Sequence, residues 1–284
     1  MSEPLTLAEA VPLGTVHLQR LLTCAGIRSL VIKGPAFVEL GVRKPRQSND
    51  IDLLISPGDR EAAAESLTEA GWTSISHWFP AAVDDLIYST TFSHPQFPAS
   101  VDVHHYYSGV FGKSQAFEVM WARRASVQLA NCEVETLSVP HALILEALNK
   151  FKASHRETWP SIARTVADSS SPLGSRDVVQ AADELGARHS AAALISALGG
   201  SEPSGPPTRE FDRWAKRSGQ FRSRMYFWRI VLRAPHAIPR VLWEQITLRE
   251  DLARFWAQAH NVPYRSRSQV LWLRLRGLLI GRRR

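Results

Sequence analysis

The segment Asn49-Asp50-Ile51-Asp52-Leu53-Leu54-Ile55 combines residue types and spacing that can do chemistry. Side chains alternate faces along a strand, so Asp50 and Asp52 project together while Ile51 and Leu53 project to the other side. Two carboxylates on one face repel, and without a compensating cation one of them takes up a proton. A divalent ion removes that penalty, and hard ions such as Mg²⁺ prefer oxygen ligands. The competing reading, an edge strand with two solvated carboxylates, leaves the repulsion uncompensated. A third carboxylate stands in Ser100-Val101-Asp102-Val103-His104, where Val101 and Val103 read as core residues and Asp102 faces away with Ser100 and His104. If this strand lies beside the first, the three carboxylates form a cluster able to hold two divalent ions. One would activate an attacking hydroxyl and the other would neutralise charge on a leaving group.

A second element suits an anion. Lys33-Gly34-Pro35 ends the apolar run Leu30-Val31-Ile32, and Pro35 fits the first turn of a helix. Glycine lets a ligand approach the backbone, a helix start offers free N–H groups, and Lys33 adds a full charge. Arg43, Lys44 and Arg46 follow, so a phosphate cradle would precede the acidic pair. A plain turn at Lys33-Gly34 is the competing reading.

The elements that must position these groups can be read in outline. Val16–Ala25 reads as a helix, Leu30–Ile32 as a buried strand and Ile51–Ile55 as a second strand. Ser56, with Asp59 three residues on, reads as the start of a helix reaching about Gly71. Leu86–Phe92, Ser100–His104 and Val127–Leu137 read as three further strands, and from Val139 the pattern is helical. The expected fold class is α+β: a small mixed β-sheet with helices, followed by an all-helical C-terminal region. The expected division is a catalytic domain at 1–138, a helical segment packing on it at 139–198, a Gly/Pro/Ser-rich linker at 199–207 and a basic helical domain at 208–284.

The 284-residue length and the 44% hydrophobic and 21% charged composition exclude a disordered, collagenous or rod-like chain. The net charge of +7 hides an asymmetry. Residues 1–207 carry 16 basic against 22 acidic side chains, a net of −6, and residues 208–284 carry 18 against 5, a net of +13. The basic part suits an anionic partner, either RNA phosphates or a membrane surface, or packing against its own chain. The apolar and basic segment Leu271–Ile280 fits the same three readings, with a helix docked on its own domain placed first. Two cysteines are too few for a disulfide scaffold or a Cys-based zinc site and fit a reducing cytoplasm. The acidic opening MSEPLTLAEAVPL is unlike a secretory signal, and stable membrane insertion is not expected.

In their order, these motifs resemble the DNA polymerase beta-like nucleotidyltransferase superfamily. The closer match is its bacterial group of uncharacterised nucleotidyltransferases. The resemblance rests on Leu30–Gly34, Arg46, Asp50–Leu54 and Asp102-Val103-His104. It covers about Ile27–Tyr106 firmly and continues through Leu145–Lys152 and Trp159–Asp168. Lys33-Gly34 departs from the Gly-Ser or Gly-Gly of the wider superfamily, which loses a hydroxyl contact to phosphate.

The resemblance implies transfer of a nucleoside monophosphate from a Mg²⁺-bound nucleoside triphosphate, ATP being the expected one, to a hydroxyl of an acceptor, with release of pyrophosphate. It implies that Asp50, Asp52 and Asp102 are catalytic and hold two Mg²⁺ ions. It further implies that Lys33, Gly34 and Arg46 hold the triphosphate, with Lys150 or Lys152 reaching its outer phosphates. His104 would line the acceptor site. The acceptor would be a small hydroxylated molecule or a natural-product peptide. Two alternatives stand beside this: a toxin-like enzyme that modifies tRNA through the basic C-terminal region, and a nucleotide-binding module without catalysis.

Overall fold

The computed structural model describes residues 5–75, 80, 83, 87–170, 173–201, 203–217, 222–260 and 262–279. The chain divides into two units: residues 1–74 with 88–222, and residues 75–87 with 223–284.

The first unit is built on a mixed seven-stranded sheet of order β3-β4-β5-β2-β1-β7-β6. Its strands are β1 (Ser29–Val31), β2 (Asp50–Ile55), β3 (Thr73–Ser74), β4 (Ser89–His94), β5 (Phe97–His104), β6 (Ala125–Leu129) and β7 (Cys132–Thr136). β2 lies between β1, to which it runs antiparallel, and β5, to which it runs parallel. The α+β class and mixed sheet expected from the sequence are therefore present.

Period-2 alternation decides what each face of β2 meets. Ile51, Leu53 and Ile55 pack with Val101 and Val103 of β5 against α1 (Leu7–Cys24) and α3 (Arg60–Glu69). Leu54 packs into the opposite core, built around α5 (Val139–Phe151). Nine of the thirteen residues of α5 are buried, so this helix is largely enclosed by its neighbours. Around it lie α6 (Trp159–Ser169), α7 (Ser175–Glu184) and α8 (Ala192–Ala197). α2 (Gly34–Glu39) contributes Phe37 and α4 (Lys113–Ala122) contributes Phe117 and Met120 to the same core. Positions 50 and 52 share the Leu54 face, so the carboxylates sit where the α5-side core gives out.

Several elements differ from the sequence reading. α1 begins nine residues before Val16, across Pro12, and the Thr6 backbone N–H donates to the Glu9 carboxylate at 3.0 Å to start it. Ser56 opens a short 3₁₀ turn, and α3 follows at Arg60. Val127–Leu137 is not one strand. β6 and β7 form an antiparallel hairpin that turns at Ala130 and Asn131, both at positive φ (47° and 60°). In the expected strand Leu86–Phe92, residue 86 lies outside the described residues, and β4 begins at Ser89.

α9 (Arg209–Arg217) follows the Gly/Pro-rich segment 199–207 and belongs to the first unit. Its Phe211 and Trp214 enter the α5-side core. Trp214 lies 5.1 Å from Trp159, centre to centre, and donates its indole N–H to Ser108 Oγ at 2.9 Å. The second unit holds α10 (Arg222–Arg233) beyond its first residue, α11 (Ile238–Ile246), α12 (Glu250–Ala259) and α13 (Arg267–Leu279). Segment 75–87, which falls between β3 and β4 in sequence, supplies Ile75 and Val83 to this unit's two small cores. The expected amphipathic segment Leu271–Ile280 lies on α13 as far as Leu279, and residue 280 is outside the described residues. Among the described residues no helix is long and apolar enough to cross a membrane.

Candidate active site

The parallel register of β2 and β5 sets Asp52 directly opposite Asp102, and Leu54 opposite His104. One ligand atom from each of Asp52, Asp102 and His104 falls within 4.8 Å of the other two. Two carboxylates and an imidazole at this spacing are a donor set that fits a divalent ion. Asp50 stands half-buried at the start of β2 on the same face.

The four groups have unequal electrostatics. Asp52 is 5% exposed. Burial alone would raise its pKa. The hydrogen bond with His104 Nε2, at 2.8 Å, and the charge of Lys33 outweigh this and hold Asp52 down at about 2. Asp50 moves the other way. Burial first, then the charges of Asp52 and Asp102, push it up to about 6. The repulsion expected of two carboxylates on one strand face thus adds to the effect of burial, and it appears at Asp50. Asp102 accepts a hydrogen bond from Thr91 Oγ1 of β4 at 2.5 Å. His104 is 1% exposed, and burial is the main force keeping its ring neutral.

Lys33 is buried, and its ammonium makes an ion pair with Asp52 Oδ1. Nζ also lies 3.5 Å from His104 Nε2 and 5.9 Å from the centre of the Tyr107 ring. Tyr107 is held by a hydrogen bond from its hydroxyl to the Leu145 carbonyl of α5, at 3.0 Å. Gly34 opens α2 at φ 52°, and a Cβ there would meet only Ser48 Oγ at 3.5 Å. Backbone conformation, not space, therefore calls for glycine at this position.

The remaining sequence candidates separate. Arg46 is exposed on the connection between α2 and β2. Lys150 pairs with Glu146 Oε1, 3.3 Å distant. Lys152 lies toward the site, with Nζ 3.5 Å from the Tyr88 hydroxyl and 5.2 Å from that ring's centre, and Tyr88 stacks on His104 at 5.7 Å. Arg43 does not serve as a free phosphate ligand. Its Nη2 and Nε sit 2.9 and 3.1 Å from Glu146 Oε2, both residues are buried, and the pair ties the α2–β2 connection to α5. Sequence reasoning missed Thr91, Tyr88, Tyr107 and Glu146. The first three come into place only through the packing of β4, β5 and α5, and Glu146 resembles any helical surface acid in sequence.

The site thus consists of a mixed sheet with carboxylates in register on two parallel neighbours and a buried lysine at the start of a helix. The chain belongs to the family described as uncharacterised nucleotidyltransferases, which matches residues 12–197. The resemblance read from the motifs thus holds at the level of the family. No curated protein matches the chain by sequence. Similar solved structures include the lincomycin-bound lincosamide antibiotic adenylyltransferase LnuA, at 15% identity and a TM-score of 0.35 over 55% of this chain and 95% of that one. The antibiotic-resistance factor ANT(2'')-Ia is similar at 15% identity and a TM-score of 0.40, over 63% and 92% of the two chains. An antigenic nucleotidyltransferase-like protein from Paracoccidioides brasiliensis is similar at 16% identity and a TM-score of 0.37, over 71% and 98%. The family assignment rests on the sequence match over residues 12–197.

Proposed function

We propose that the protein transfers a nucleoside monophosphate from a nucleoside triphosphate, ATP first among them, to a hydroxyl of an acceptor. The acceptor oxygen attacks the α-phosphorus, the bond from that phosphorus to the bridging oxygen breaks, and pyrophosphate leaves. The observation that carries this reading is the register pairing of Asp52 with Asp102, with Asp50 on the same face. Asp50, Asp52 and Asp102 would hold two Mg²⁺ ions. Bound Mg²⁺ supplies charge neutralisation at the phosphates and lowers the pKa of a coordinated hydroxyl.

Asp102 takes the acceptor's proton, and the Thr91 hydroxyl fixes the orientation of its carboxyl group. Lys33 and the start of α2 at Gly34 meet the phosphates, with Arg46 as an exposed outer contact. Lys152 supports the same phosphate role better than Lys150, because its ammonium lies over Tyr88 beside His104. His104 lines the acceptor side. A small hydroxylated molecule or a natural-product peptide fits as acceptor, and the enzyme would act in the cytoplasm.

Calorimetry of ATP, GTP, CTP and UTP with and without Mg²⁺ tests the reading. We expect Mg²⁺-dependent binding that Asp50→Asn/Asp52→Asn abolishes, and loss of transfer in either single variant. Binding or transfer unchanged in these variants would refute the assignment. Binding without turnover on any acceptor would favour an inactive nucleotide-binding module, a role that has little need for three carboxylates. A tRNA acceptor is favoured by one observation, the net +13 of residues 208–284. It predicts RNA affinity that falls steeply with salt in a filter-binding assay, and salt-independent or absent binding would exclude it.

A further inference from the structure

Lys33 is one of four non-glycine residues at positive φ among the described residues, with φ 62° and ψ −155°. That region is close to forbidden for a residue with a Cβ, and a lysine persists there only when its surroundings hold it. Its ammonium is folded back over the sheet. It pairs with Asp52 Oδ1, lies 3.5 Å from His104 Nε2 and 5.9 Å from the Tyr107 ring centre, and the residue is 8% exposed.

Asp52 Oδ1 already meets two nitrogen groups, Lys33 Nζ and His104 Nε2. Asp52 also forms, with Asp102 and His104, a cluster whose ligand atoms lie within 4.8 Å of one another, a spacing that suits a divalent ion. The ammonium and that ion therefore draw on one carboxylate. Like charges a few ångströms apart in a buried site repel strongly, so the two cannot share it at full strength. The lysine's four-carbon stem allows the ammonium to leave without moving the backbone. Leaving requires a new anionic partner, because a buried ammonium without one is costly. The phosphates of a nucleotide at the start of α2 are such a partner.

We infer that Lys33 is a tethered counter-ion for Asp52 that yields its place to a divalent ion only when phosphate takes the ammonium, so that metal and nucleotide bind together. The inference rests on the nucleotidyltransferase reading and adds an order to it: the metal alone binds weakly, and the metal with nucleotide binds well.

The test is Mn²⁺ binding to the full chain, followed by the electron paramagnetic resonance signal of free Mn²⁺, with and without the non-transferable analogue α,β-methylene-ATP, whose own Mn²⁺ binding is measured in protein-free solution and subtracted. Wild type is compared with Lys33→Met and with Lys33→Gln, which keeps a hydrogen-bond donor but no charge; near-UV circular dichroism reports folding. With the competitor removed, both variants are expected to bind Mn²⁺ alone about tenfold more tightly than wild type, the size of a typical coupling between sites. Wild type should approach that affinity only with the analogue present. Equal or weaker Mn²⁺ binding by a folded variant overturns the inference and leaves the nucleotidyltransferase reading intact. No Mn²⁺ binding by any form, even with the analogue, overturns both.

Discussion

Replacing Asp50 by asparagine should make the metal-free protein more stable while removing its activity. The ordinary carboxyl value is 3.8, and burial together with Asp52 and Asp102 pushes Asp50 up to about 6. At about 1.4 kcal/mol for each tenfold change in proton affinity, this is a cost of about 3 kcal/mol for holding the charge, and about 2 kcal/mol once partial exposure is allowed for. Between pH 3.8 and about 6 the folded protein keeps this proton and the unfolded chain does not, so stability falls as pH rises through that window. Above it both states are ionised and the full cost remains. An asparagine in its place has no charge to hold and escapes that cost. For a unit of this size, about 2 kcal/mol corresponds to a rise in Tm of about 4–8 °C.

Asp52→Asn should do the opposite. Asp52 is held at about 2, and losing its charge costs at least about 2 kcal/mol and leaves Lys33 buried without its partner. The assay is thermal unfolding by near-UV circular dichroism in EDTA from pH 4 to pH 8. Asp50→Asn should melt higher at pH 7.5, with the gain vanishing near pH 4, and Asp52→Asn should melt lower. An Asp50→Asn variant that melts at or below wild type at pH 7.5, or whose gain is the same at pH 4, would refute the electrostatic account of the site.

The buried Arg43–Glu146 pair gives a second prediction: Arg43→Met strands a buried carboxylate beside the partly exposed Lys150 and should cost about 3–5 kcal/mol in urea unfolding, while Arg43→Met/Glu146→Leu recovers most of the loss. A third concerns His141 of α5, which is buried, accepts from or donates to Ser138 Oγ at 2.9 Å, and is lowered by burial to about 4. It stays neutral when folded, whereas the unfolded chain takes up a proton below about 6.5, so stability should fall by about 3 kcal/mol as pH drops from 6.5 to 4, and His141→Gln should flatten that part of the profile.

Much of the site was legible because its chemistry is local in sequence. Alternation along β2 and β5 is a property of any strand, so Asp50, Asp52 and Leu54 share a face wherever the strand lies. Gly34 and Pro35 mark a helix start for backbone reasons that need no tertiary contact. The charge asymmetry around residue 207 is likewise a matter of composition. The hairpin at Ala130-Asn131 was not read, because Asn131 favours a turn but Ala130, unlike the Gly of an Asn-Gly pair, does not.

What only the tertiary structure decided is pairing across long separations. The register that sets Asp52 opposite Asp102 is a choice among sheet pairings, and burying Ile51, Leu53, Val101 and Val103 together selects it. The same packing brings Thr91 to Asp102, Tyr88 to His104, and Lys33 back onto Asp52. It also takes Arg43 out of the phosphate-binding set and gives it to Glu146, places α9 on the first unit, and sends segment 75–87 into the second. A sequence states which side chains share an element's face. Which faces meet is settled by the burial of apolar surface over the whole chain, and that sum cannot be read from any one segment.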